Sequence, residues 1–163
     1  MTGCPSRYLA TNTTRTGSRV SDRNGRPADG WVDVCGAAAV PVDRGVAVLV
    51  SFDGAEPVAV ALFRLSPTEP DGPEEWFAIG HVDPATGAPV MARGLVGSIE
   101  RPSGDEPSET NSIPTVASPL HKQRYDLQTG DCLDDPSLRL DRFDIVHDDG
   151  RIRLRPGDQS SSG

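Results

Sequence analysis

Residues 114–136 read PTVASPLHKQRYDLQTGDCLDDP, and their order of extended and turn-forming residues decides the fold. Val116 opens an extended apolar run that Ser118-Pro119 ends, because proline has no N–H to give to a sheet ladder. From Gln123 to Leu127 polar and apolar residues alternate, as in a strand with one buried face. Thr129-Gly130 then turns the chain, glycine taking a positive φ without a steric cost. The stretch predicts strand, proline loop, strand, tight turn and strand.

The flanking sequence supplies more strands of the same kind. Val46–Phe52 and Val58–Phe63 are apolar, β-branched runs on either side of Asp53-Gly54, which predicts a hairpin. Phe143–His147 and Arg151–Arg155 flank Asp149-Gly150 and predict a closing hairpin. Trp31–Cys35 and Trp76–Gly80 read as further strands, and Leu95 and Val96 are expected to pair with the strand around Val116. No apolar stripe has the period of a helix. The chain therefore reads as all-β, a thin antiparallel sandwich or small barrel, with one domain over residues 30–156. Residues 1–29 and 157–163 lack any apolar period and are expected to be disordered tails. The acidic segments 66–75 and 99–112, rich in Pro, Gly, Asp and Glu, read as mobile insertions.

The formal net charge of −8 over 163 residues argues against nucleic acid or an anionic membrane as partner, since both select basic faces. No run approaches the ~18 apolar residues of a membrane span, and the first 30 residues lack the apolar core of a secretory signal, so a cytoplasmic location is expected. Cys4, Cys35 and Cys132 are far apart and form no C-x-x-C pair. Cys35 and Cys132 are expected as small buried hydrophobes.

The central stretch resembles the second half of a Rieske iron-sulfur domain, in which a C-P-x-H loop precedes an R-[FY]-D-L-x-T-G hairpin. Here Ser118, Pro119, Leu120 and His121 stand in the loop, and Arg124, Tyr125, Asp126, Leu127, Thr129 and Gly130 in the hairpin. In the upstream ligand loop the same alignment sets Asp83 at the cysteine position and Ala85 or Thr86 at the histidine position. Of the ligand positions only His121 keeps a ligating side chain, and a Rieske centre needs two thiolates and two imidazoles.

The combination of Val82-Asp83-Pro84, Ala92-Arg93-Gly94, VASPL at 116–120, Lys122-Gln123-Arg124 and CLDDP at 132–136 is similar to the small subunit of assimilatory NAD(P)H-dependent nitrite reductase. That resemblance spans roughly residues 31–154. It implies a Rieske-like fold without a cluster, no catalytic residue and no cofactor on this chain. It also implies a large catalytic subunit as partner, carrying FAD, a [4Fe-4S] cluster and sirohaem and reducing nitrite to ammonium in nitrate assimilation. Two alternatives are a Rieske-type ferredoxin that carries electrons to an oxygenase, and a freestanding binding module of the same fold. The ferredoxin would need C-x-H and C-x-x-H, which this chain does not have.

Other chemistry finds little support. His81 and Asp83 could form a dyad, but no G-x-S-x-G nucleophile accompanies them. His121 with Cys132 or Asp83 lacks the spacing of a metal site, and Asp134-Asp135-Pro136 lacks a third carboxylate spaced as in a calcium loop. Lys122, Gln123 and Arg124 adjoin the loop that in a Rieske protein faces its partners. They are the partner-interface candidates, although a charged strand edge also serves simply to block edge pairing.

Overall fold

The computed structural model describes residues 30–102 and 110–157, together with the backbone of Leu9–Thr11. In chain order the strands are β1 (Leu9–Thr11), β2 (Val32–Gly36), β3 (Arg44–Val50), β4 (Val58–Leu65), β5 (Glu75–Gly80), β6 (Leu95–Pro102), β7 (Thr110–Ala117), β8 (Arg124–Asp126), β9 (Arg142–Asp148) and β10 (Arg151–Pro156). The only helical segments among the described residues are single 3-10 turns at Ala37–Ala39 and Met91–Arg93. Seven strands form one sheet in the order β1-β3-β4-β5-β9-β10-β2, and β6-β7-β8 form a second. β1 and β2, at the two ends of that order, approach each other, so the large sheet nearly closes on itself. The smaller sheet is the inserted subdomain, and the fold is all-β as expected.

Both Asp-Gly turns are where the sequence sets them. Asp53 and Gly54 have φ of 51° and 75°, and Asp149 and Gly150 have 50° and 71°. Consecutive positive φ values match the right-handed twist of the flanking strands, and Asp-Gly tolerates them. The second turn joins β9 and β10 with only those two residues.

β4 holds the molecule together because both of its faces are buried. Val60 and Leu62 enter the barrel interior with Val34, Val40, Val48, Val50, Ile152 and Leu154. Ala61, Phe63 and Leu65 face the other way, against Met91, Val116, Tyr125 and Leu127 of the subdomain side. Where the strand is covered on both faces it has no polar position, which is why VAVALF reads as a continuous apolar run; the half-buried Arg64 beyond it pairs with Glu74. Removing each fully buried Val, Leu or Phe side chain from water contributes about 1.5–3 kcal/mol before the entropy of ordering it. Gly94 lets the subdomain close on this wall: a Cβ there would lie 2.5 Å from Val116 Cγ2.

The structure corrects three expectations. Leu9–Thr11, placed in the disordered tail, pair parallel with Val48–Val50 at the edge of the large sheet; a three-residue edge strand carries too little pattern to be read. The rest of 1–29 lies outside the described residues, as do 103–109 and 158–163. Within 99–112, Ile99–Pro102 and Thr110–Ser112 belong to β6 and β7, where Ile99 faces Ile113 across the ladder. The strand expected after Thr129-Gly130 is reduced to isolated bridges, Tyr125 with Cys132 and Asp131 with Arg139. Gly130 itself has φ of 83°, and any Cβ there would collide with the Leu140 carbonyl, so the turn can hold only glycine.

Candidate functional site

Two loops meet at one end of the molecule. The first leaves β5 at His81 and runs to Val90; the second spans Ser118–Gln123 between β7 and β8. Each is tightened by its own backbone. Gly87 N–H donates to the Asp83 carbonyl at 2.7 Å and Asp83 N–H to the Ala88 carbonyl at 2.8 Å. In the second loop Ser118 N–H donates to the Gln123 carbonyl at 2.8 Å and Lys122 N–H to the Ser118 carbonyl at 2.9 Å. Lys122 takes the left-handed conformation this turn needs, with φ of 59°.

Side chains then join the loops. Ser118 Oγ donates to Asp83 Oδ2 at 2.5 Å, and both residues are buried. Ala85 N–H donates to Asp83 Oδ1 at 2.9 Å, and the Tyr125 hydroxyl reaches the same oxygen at 3.5 Å, the outer limit of a hydrogen bond. Burial, followed by the negative charge of Asp83, pushes the Tyr125 phenol well above its ordinary range, so at neutral pH it is a donor. The two positions aligned with Rieske cysteines are therefore in direct contact, through one short hydrogen bond between a carboxylate and a hydroxyl. Ala85 and His121, at the aligned histidine positions, are exposed.

His81 and Asp83 do not form a dyad. His81 Nδ1 accepts from Ala92 N–H at 3.1 Å, which ties the buried imidazole to the 3-10 turn and not to the carboxylate. Burial, then the nearby Arg93 charge, holds this imidazole below its ordinary range against a hydrogen bond with Pro89 that works the other way. It is a structural group, unread as such from sequence because its partner is a backbone amide.

The interface candidates differ from one another. Lys122 is exposed, Gln123 is half-buried, and its Oε1 is buried without a hydrogen-bond partner among the described residues. Arg124 is committed within the chain: its guanidinium grips Asp134 through Nη2–Oδ1 at 2.7 Å and Nε–Oδ2 at 3.2 Å. Asp134 also accepts from Arg124 N–H at 2.7 Å. Cys35 and Cys132 are buried, as expected, and neither is in a disulfide among the described residues; Cys4 lies outside the described residues.

The arrangement of a barrel, a three-stranded subdomain and two loops crossing at its tip is that of a Rieske-like domain, and the family model for the Rieske-like [2Fe-2S] domain matches residues 30–155. Within that class, the NADH nitrite reductase small subunit of Escherichia coli K12 is 31% identical over 77% of this chain and 96% of its own length. A solved Mycobacterium tuberculosis structure, provisionally assigned as an NADH-dependent nitrite reductase small subunit, is 37% identical with a TM-score of 0.57, covering 76% of this chain and 92% of that one. A stretch amounting to 11% of the Klebsiella oxytoca nitrite reductase [NAD(P)H] large subunit is 25% identical over 77% of this chain. The chain belongs to the family of nitrite reductase small subunits.

Proposed function

We propose that this chain is the noncatalytic small subunit of a cytoplasmic NAD(P)H-dependent nitrite reductase, supporting the reduction of nitrite to ammonium by a large subunit. The observation that carries the noncatalytic part is the Asp83–Ser118 hydrogen bond. A [2Fe-2S] centre of the Rieske kind needs two thiolates and two imidazoles. The aligned positions supply a carboxylate, a hydroxyl, a methyl and one exposed imidazole, and the first two already satisfy each other. These residues do not fit the cluster. FAD, [4Fe-4S] and sirohaem are then expected on the large subunit alone. The electron-carrier alternative is the weaker, because it needs the centre these residues do not fit.

Association with a large subunit is supported by the Klebsiella oxytoca relative, in which a stretch like this chain is part of a large-subunit polypeptide. Lys122, Gln123 and Arg124 are the interface candidates on this reading, with Arg124 acting through its pair with Asp134. Two measurements test the proposal. Purified protein should be colourless and iron-free after anaerobic reconstitution; Rieske-type visible bands with stoichiometric iron would overturn the ligand assignment. Tagged protein from its native cells should bring down a polypeptide carrying flavin and sirohaem, and its absence would leave a freestanding binding module.

A further inference from the structure

Among the described residues five large hydrophobic side chains stand exposed, and three of them, Val82 at 45%, Leu95 at 79% and Leu120 at 52%, lie at the tip. Each is tied within two residues to the Ser118 side chain. Val82 precedes Asp83, which accepts from Ser118 Oγ; Leu95 pairs with Ala117, which precedes Ser118; and Leu120 N–H lies 3.4 Å from Ser118 Oγ. The buried Asp83–Ser118 bond thus links the chain segments that carry these three exposed apolar side chains. The charge of the same surface is also segregated. The chain carries −8 overall, yet residues 84–95 and 117–123 contain no acid, and their formal charges are Arg93 and Lys122, both exposed.

We infer that the tip is a docking surface in which Val82, Leu95 and Leu120 supply the buried centre and Arg93 and Lys122 the rim, and that its partner is a protein surface with an apolar depression edged by carboxylates. An apolar centre with a charged rim is the anatomy of a specific protein interface. Two cations on an acidic chain are too few to hold a polyanion such as nucleic acid or an anionic bilayer. A second copy is disfavoured because two cationic tips repel each other. Resting on the subunit reading above, the partner is the nitrite reductase large subunit.

The test measures binding of the full-length chain to the purified large subunit from the same organism, with a thermal melt of every variant. Leu95→Glu/Leu120→Glu should weaken binding by more than about tenfold while the melt stays near wild type. Arg93→Glu/Lys122→Glu should weaken binding and flatten its dependence on salt. This second pair guards against misfolding in the first. If wild type binds and both folded variants bind within about twofold of it, the tip is not the interface, while the subunit reading stands. If wild type itself does not bind, both fall.

Discussion

The barrel interior and the interior beneath the tip share β4 but are closed by different forces. The barrel cluster is built from Val34, Val48, Val60, Leu62, Ile152 and Leu154, with no charged member. The tip end buries His81, Asp83 and Ser118 beside the apolar cluster that contains Tyr125 and Met91. In the first, exclusion of water and filling of the volume are sufficient, and no directional partner is demanded of any one side chain. In the second, each buried polar group needs a partner at the right distance, because leaving one unpaired costs more than the hydrogen bond returns. The same strand wall therefore separates a region that tolerates exchange of one hydrophobe for another from one that tolerates almost no change at Asp83.

Truncation in the barrel should have the largest effect. Leu62→Ala removes a fully buried side chain from a strand that cannot collapse inward without disturbing its other face, and about 2–5 kcal/mol of stability should be lost in denaturant unfolding. A loss well under about 1 kcal/mol would mean the barrel is loosely packed. Next comes Asp83→Ala, which strands Ser118 Oγ, Ala85 N–H and the Tyr125 hydroxyl; about 1–3 kcal/mol is expected. A double-mutant cycle with Ser118→Ala should show coupling, and strictly additive losses would reduce the bond to a coincidence of packing.

These two outcomes also mark what could be read from sequence. Apolar periodicity and the Asp-Gly turns placed the β3–β4 and β9–β10 hairpins, because both signals are local: a residue's face and a turn's φ values depend on its immediate neighbours. The resemblance carried by Arg124–Leu127 and Thr129-Gly130 pointed to the two tip loops. What the loops do to each other was not legible, since Asp83 meets Ser118 only after β4, β5 and β7 have brought them together. Nor could Arg124 be known to spend its charge on Asp134, or Leu95 be known to face water, from an alternation that assigns sides but not neighbours. β1 was missed because three residues at a parallel edge fall below the length at which a period can be seen.

The smallest expected effect is one of pH and separates the two interiors cleanly. His81 has a folded pKa below its ordinary 6.5, so the unfolded chain takes up the proton first. Its contribution is intact above pH 6.5 and is lost progressively as the pH falls through that value toward the folded one. Melting temperature should therefore decline on acidification from pH 7 toward 5.5, approximate limits set by the imidazole range, and His81→Asn should flatten that decline. An unchanged slope in the variant would assign the decline to groups elsewhere.

Because residues 60–63 of β4 are apolar on both faces, that part of the strand does little to oppose a slip of one residue, and only Arg64, held by Glu74, marks a side. Such a slip would normally expel a hydrophobic set into water, which is what penalises misregistered strands. Here it would exchange Val60 and Leu62 for Ala61 and Phe63, one oily set for another. Volume supplies the discrimination that polarity cannot. Phe63 is accommodated where Gly45 of β3 stands opposite it, a position at which a Cβ would come within 2.4 Å of the Ala92 carbonyl oxygen and 2.7 Å of the ring. The missing side chain at residue 45 acts as a keyhole: in the native alignment it leaves room for the Phe63 ring and the Ala92 carbonyl, whereas a shift of one residue would set the ring opposite Arg44 or Val46.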